Sequence, residues 1–201
     1  MSSRPILVAE PGFVGRKAEI KTLSTCLTSA LNRKGIVVFI SGEAGTGKTR
    51  LVKEFLRSAQ EEEVTIIKGW CLGNASVPYF PFIEAFRNYS NRPNNVKKPL
   101  PPHKTKREFE NATRALLKPT HLKGQEGQEK PSPNVWKDIT FVSIGKALQS
   151  LSEFQPVIFF IDDIQWADSA SLSLLQYISR VLTSERVLVI ATYRSEELYW
   201  F

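Results

Sequence analysis

The chain has 201 residues, 42% of them hydrophobic, and a net charge of +7. That is the size and composition of one globular domain with room for a partial second. Its apolar runs reach only about five residues, far short of the roughly 18 needed to span a membrane, and the four apolar residues before Glu10 are too few for a signal peptide. The charge is concentrated: between residues 87 and 130 eleven Lys/Arg stand against four Asp/Glu, an excess equal to the whole net charge, so the rest of the chain is neutral. Cys26 and Cys71 lie far apart in mostly apolar surroundings, which suits small buried thiols in a reducing cytoplasm better than a disulfide or metal pair.

Residues 1–12 read as a leader, because Pro5, Pro11 and Gly12 prevent any long element. Phe13 and Val14 follow, able to lie against a flat ring such as adenine or to act as a hydrophobic staple on the next helix. Ile20, Leu23, Leu27 and Leu31 then predict an amphipathic helix, ended by the cations and glycine of Asn32-Arg33-Lys34-Gly35. Ile36 to Ile40 is apolar throughout, as a strand buried on both faces should be.

Directly after that strand comes Gly42-Glu43-Ala44-Gly45-Thr46-Gly47-Lys48-Thr49, with a helical pattern from Arg50 to about Ala59. A strand, this spacing and a helix together specify a phosphate-binding loop. Glycines let several backbone N–H groups turn toward one anion, and the helix start adds its unpaired N–H groups and positive dipole end. Lys48 is expected to reach the outer phosphates and the Thr49 hydroxyl to ligate Mg²⁺.

Residues 64–67 predict the next strand. Pro78-Tyr79-Phe80-Pro81-Phe82 and a helix near Phe82, Ile83 and Phe86 form an aromatic cluster that suits either a core or an intersubunit surface. From 88 to 134 prolines and cations accumulate, and only residues 105–118 carry a helical stripe; the stretch reads as a basic, proline-rich and partly disordered insertion. Its two histidines, His103 and His121, have no ligand neighbours at metal-binding spacing. A helix is predicted at 136–152. After it, Val157 to Ile161 is an apolar strand that ends in Asp162-Asp163. Carboxylates are rarely buried unless paired or metal-bound, and at the end of a parallel strand they face the crevice where ligands bind. Asp162 is expected to serve Mg²⁺ and Asp163 to orient or activate water. Asp168 caps a further helix, 170–182. Val187 to Thr192 is a fourth strand, and Thr192 and Arg194 after it either reach a terminal phosphate or, for Arg194, remain a surface charge.

Taken in order, Phe13-Val14-Gly15-Arg16, the loop from Gly42 to Thr49, Pro78 to Phe82, Asp162-Asp163-Ile164-Gln165-Trp166-Ala167-Asp168 and Ala191-Thr192-Tyr193-Arg194 resemble the ATPase domain of STAND-class regulators, AAA-related P-loop proteins. The resemblance covers nearly the whole chain outside residues 88–134, and the Asp-Asp-Ile-Gln-Trp-Ala-Asp segment is its most specific part. It implies a three-layer α/β fold whose parallel sheet has the strand order 1-4-3-2. It divides the ATPase core into residues 13–87, with the phosphate loop, and 135–201, with the Asp-Asp and sensor strands. It also implies a fifth strand and a helical lid that the four strands counted here do not supply, so the chain is expected to be a truncated product with its first strand as an open edge.

On that resemblance Val14, Gly15 and Arg16 lie near adenine. Gly42, Gly45, Thr46, Gly47, Lys48, Thr49 and Arg50 hold the phosphates of ATP, and Thr49 and Asp162 hold Mg²⁺. Lys48, Asp163 and Arg194 form the catalytic set, with Thr192 as a phosphate sensor. Asp163 stands where many efficient hydrolases carry Glu, and a shorter side chain sets the water differently. The function implied is an ATP-binding signalling switch with slow or conditional hydrolysis, partnered by protein or by itself through the lid region and segment 78–86. The alternatives are a nucleic-acid contact through the basic insertion, disfavoured because charge runs are usually solvated, and a nucleotide-binding remnant that does not hydrolyse.

Overall fold

Four segments rich in β-branched and aromatic residues form a single sheet: β1 (Ile36–Ser41), β2 (Thr65–Trp70), β3 (Val157–Asp162) and β4 (Val187–Tyr193). The computed structural model describes residues 15–73, 77–91, 101–121 and 132–197, and the side chains within these except those of 118–121. The expected leader, Phe13 and Val14 lie outside the described residues. All strand pairs are parallel and the order is β1-β4-β3-β2, as expected. Parallel neighbours cannot be joined by tight turns, so the chain crosses over through helices. These are α1 (Lys17–Leu31), α2 (Lys48–Ala59), α3 (Phe80–Ser90), α4 (His103–His121), α5 (Pro133–Phe154) and α6 (Ser169–Val181), with short 3-10 turns at Ile164–Trp166 and Ser195–Glu197.

Strand alternation divides the core between two helical layers. Ile158 and Phe160 of β3, with Leu188 and Ile190 of β4, meet Leu23, Leu27, Leu51 and Phe55 of α1 and α2. Val157, Phe159 and Ile161, with Val187 and Val189, meet Phe82, Phe86, Ile144, Leu148, Leu174 and Ile178 of α3, α5 and α6. Each such fully buried Leu, Ile or Phe contributes on the order of 1.5–3 kcal/mol. This is the three-layer α/β arrangement of P-loop NTPases.

The helix expected at 105–118 forms as α4, and its stripe of Phe109, Ala112 and Leu116 is buried in the second layer. Phe109 stacks on Phe86 with ring centroids 4.2 Å apart, and Thr105 accepts a hydrogen bond from Ser150 of α5 at 3.0 Å. One face of the middle of the basic stretch is therefore core.

Segment 78–86, one of the two places expected to receive a partner, is also core: Phe82 and Phe86 are fully buried and Phe82 meets Phe159 edge-on. Tyr79 meets Phe141 of α5 edge-on, and Phe80 is only partly buried. β2 runs three residues further than residues 64–67, to Trp70. Its exposed Lys68 and Trp70 alternate with buried neighbours, the pattern of a strand at the sheet's edge, which a search for continuous apolar runs does not detect. Among the described residues no helix is long and apolar enough to cross a membrane.

Candidate functional site

The turn from β1 into α2 is glycine-rich because its backbone enters the left-handed region. Gly45 and Gly47 have φ of 76° and 83°, which cost other residues more. Gly47 is the N-cap of α2 and offers no side chain to its N–H groups. The first N–H groups of the helix therefore remain for an external acceptor, and the helix dipole favours an anion there. Lys48, the first residue of α2, is 7% exposed. Its Nζ donates to the carbonyls of Gly42 at 2.6 Å and Glu43 at 2.9 Å. A buried ammonium held by neutral carbonyls gains strongly from an added anion.

Arg16, at the start of α1, donates through its guanidinium to the carbonyl of Thr46 in the loop. It reaches the loop because Gly15 and Arg16 both have positive φ, turning the chain into α1. Arg50 follows on α2 and is exposed.

Parallel pairing brings the C-terminal ends of β1, β3 and β4 to the same edge, next to this loop. Ile161 is opposite Ala191 and Ile40 opposite Thr192 in the register, so Asp162 and Thr192 emerge side by side. One carboxylate oxygen joins three elements. Asp162 Oδ1 accepts from Thr49 Oγ1 of α2 at 3.0 Å and from Thr192 Oγ1 of β4. Thr192 is fully buried and accepts in turn from the N–H of Asp163 at 2.9 Å.

Consecutive strand residues point to opposite faces. Asp163 escapes that rule by leaving the strand with φ 58°, a conformation that Asp tolerates better than most residues. Its carboxylate accepts from Gln165 Nε2 at 3.0 Å and lies 3.9 Å from Arg194 Nε. Gln165 Oε1 accepts from the N–H of Arg194 at 3.2 Å, and the Arg194 guanidinium donates to Glu197 at 3.0 Å. Asp168 caps α6 through the N–H of Ser171 and also accepts from the N–H of Tyr79, tying α3 to the site.

Three groups here have displaced pKa values, and burial followed by the Asp168 carboxylate raises that of Tyr79. Burial first, and then the carboxylates of Asp168, Asp163 and Asp162, push the Cys71 thiol up to about 12. Hydrogen bonds from its own N–H and that of Ala44 hold the Glu196 carboxyl below its usual range, assisted by the charge of Lys48.

The donor set fits Mg²⁺. One carboxylate and one hydroxyl, both hard oxygens beside a phosphate loop, are what a cation needs when it takes its other ligands from water and phosphate. Among the described residues no group of three or more His, Cys, Asp or Glu could cage a metal alone.

Of the residues expected to form the site, Lys48, Thr49, Asp162, Asp163, Thr192 and Arg194 converge with the loop, while Val14 lies outside the described residues. Gln165, Glu196 and Glu197 join the site without having been assigned a role. Gln165 sits inside the Asp-Asp segment and was within reach of sequence reasoning; Glu196 meets Ala44 across 152 positions, and no local pattern encodes that contact.

A family model described as "AAA ATPase domain" matches residues 12–190. An uncharacterized protein of Rhizobium meliloti (strain 1021) is 23% identical over 189 residues, covering 90% of this chain; the chain spans only 18% of that relative's length. The crystal structure of Cdc6p from Pyrobaculum aerophilum is similar in fold, with a TM-score of 0.53 and 14% identity over 96% of this chain and 44% of that one. The structure of C. elegans PCH-2 matches with a TM-score of 0.44 and 15% identity, over 90% of this chain and 38% of that one.

Proposed function

Because the chain belongs to the AAA ATPase domain family, we propose that it is an Mg-ATP-binding regulatory switch of the STAND class, with slow or conditional hydrolysis. The observation that carries this reading is the shared oxygen of Asp162. The loop (through Thr49) and the sensor strand (through Thr192) both donate to it, so a ligand on the loop changes what β4 can hold.

In this reading the loop N–H groups and Lys48 bind the phosphates, with the Lys48 ammonium leaving the Gly42 and Glu43 carbonyls for the outer ones. Thr49 and Asp162 hold Mg²⁺, which when bound neutralises charge on the outer phosphates. Thr192 and Arg194 sense the terminal phosphate. Asp163 orients water, but its carboxylate is engaged by Gln165 and faces Arg194. Hydrolysis therefore waits on Arg194 moving toward phosphate, which makes turnover conditional. Differential binding to the two arrangements is what a ligand needs in order to shift a population.

The nucleic-acid alternative rests on less. The exposed cations Lys104, Lys106, Arg107 and Arg114 of α4 are interleaved with Glu108 and Glu110, and mixed signs weaken a phosphate-tracking surface.

Titration with a fluorescent ATP analogue tests the main reading. Lys48→Ala is expected to weaken binding by about 10- to 100-fold, the range for losing a hydrogen bond to a charged group. Unchanged affinity would overturn it.

A further inference from the structure

A carboxylate already sits on one donor of the phosphate loop. Glu196 Oε1 accepts from the N–H of Ala44 at 2.8 Å. Ala44 immediately follows Gly42 and Glu43, whose carbonyls hold the Lys48 ammonium. The N–H of Ala44 thus lies beside the resting ammonium, the group that goes on to reach the outer phosphates. The Glu196 carboxyl is already held below its usual range by its own N–H and that of Ala44, so it is anionic at neutral pH.

The next residue does the same to the strand end. Glu197 Oε1 accepts from the Arg194 guanidinium at 3.0 Å, while its other oxygen, Oε2, is buried with no hydrogen-bond partner among the described residues. One oxygen of this partly exposed side chain is therefore engaged and the other is not. So the Ser195–Glu197 turn sets two neighbouring acids against a loop N–H and the guanidinium of Arg194.

We propose that Glu196 is a specificity-determining residue of this site, an internal anion that competes with the terminal phosphate and so favours a nucleoside diphosphate over the triphosphate in the resting state. A diphosphate fills the inner loop and leaves Glu196 on Ala44. A triphosphate has to displace Glu196, because two anions cannot share one donor, and it draws Arg194 away from Glu197. The turn directly follows β4, so the third phosphate is reported to the chain beyond the sensor strand. The inference rests on the nucleotide-switch reading and adds the residue that sets the nucleotide preference of the resting site.

Dissociation constants of Mg-ATP and Mg-ADP, measured by isothermal titration for the whole chain and for Glu196→Gln and Glu196→Ala, test it. Glu196 is exposed and its replacement leaves the core intact; matching thermal melts confirm this. Removing a like charge from beside the terminal phosphate is expected to tighten ATP on the order of five- to tenfold while ADP changes less than about twofold. An unchanged ATP-to-ADP ratio, or weaker ATP binding in the variants, overturns the proposal while leaving the nucleotide reading intact. If the parent chain binds neither nucleotide, the nucleotide reading falls and this one with it.

Discussion

At the scale of single residues, the site depends on which charges are shared and which are isolated. Asp162 serves two hydroxyls from different elements, Asp163 is flanked by Gln165 and Arg194, and Lys48 donates to two carbonyls while its charge acts on Glu196. The three aspartates also act on a bystander. Cys71 is buried within their field, and its raised pKa, about 12, keeps the thiol neutral at ordinary pH. A thiol-disulfide reagent at neutral pH is expected to label half-buried Cys26 quickly and Cys71 only in denaturant, because the thiolate is the reactive form. Equal labelling of both in the native chain would contradict this. The sign for stability follows. The unfolded chain ionises this thiol at its ordinary value and the folded chain does not, so the contribution of Cys71 is full below that value. It is lost as pH rises toward 12.

At the scale of elements, α4 links the basic stretch to the fold. Its stripe was legible in the sequence, since Phe109, Ala112 and Leu116 fall at helical spacing; that they fill the core was not, because the ring partners of Phe109, Phe86 and Tyr89, lie on α3. Phe109→Ala removes a ring stacked 4.2 Å from Phe86 and is expected to cost about 3–5 kcal/mol. Against a typical total of roughly 5–15 kcal/mol, that loss should appear as a much lower urea midpoint at unchanged slope. A loss under about 1 kcal/mol would mean that α4 is only draped over the core. The β2 edge shows the converse. Its exposed Lys68 and Trp70 break the apolar run, so the strand's last three residues could be recognised only by their pairing with β3.

At the scale of the whole molecule, the sheet order leaves β1 as the end strand of the described residues, with Phe39 54% exposed. A strand edge with an exposed aromatic invites pairing with another chain. Phe39→Lys is therefore expected to reduce concentration-dependent association in analytical ultracentrifugation without lowering the melting temperature by more than a few degrees. If association is unchanged, another surface is responsible.

The sequence alone determined what is local and periodic. Residues 42–49 between a strand and a helix specified the loop, the run from Val157 to Asp163 specified a buried strand ending in acid, and the cap at Asp168 marked the start of a helix. Each depends on backbone geometry or on burial within one element. Tertiary structure decided whatever joins distant segments. Parallel register placed Thr192 against Asp162, the left-handed turns at Arg16 and Asp163 re-aimed their side chains, and the fold carried Glu196 to Ala44. Those contacts cross 30 to 152 positions, and their geometry exists only once β1, β3 and β4 are aligned in a single sheet.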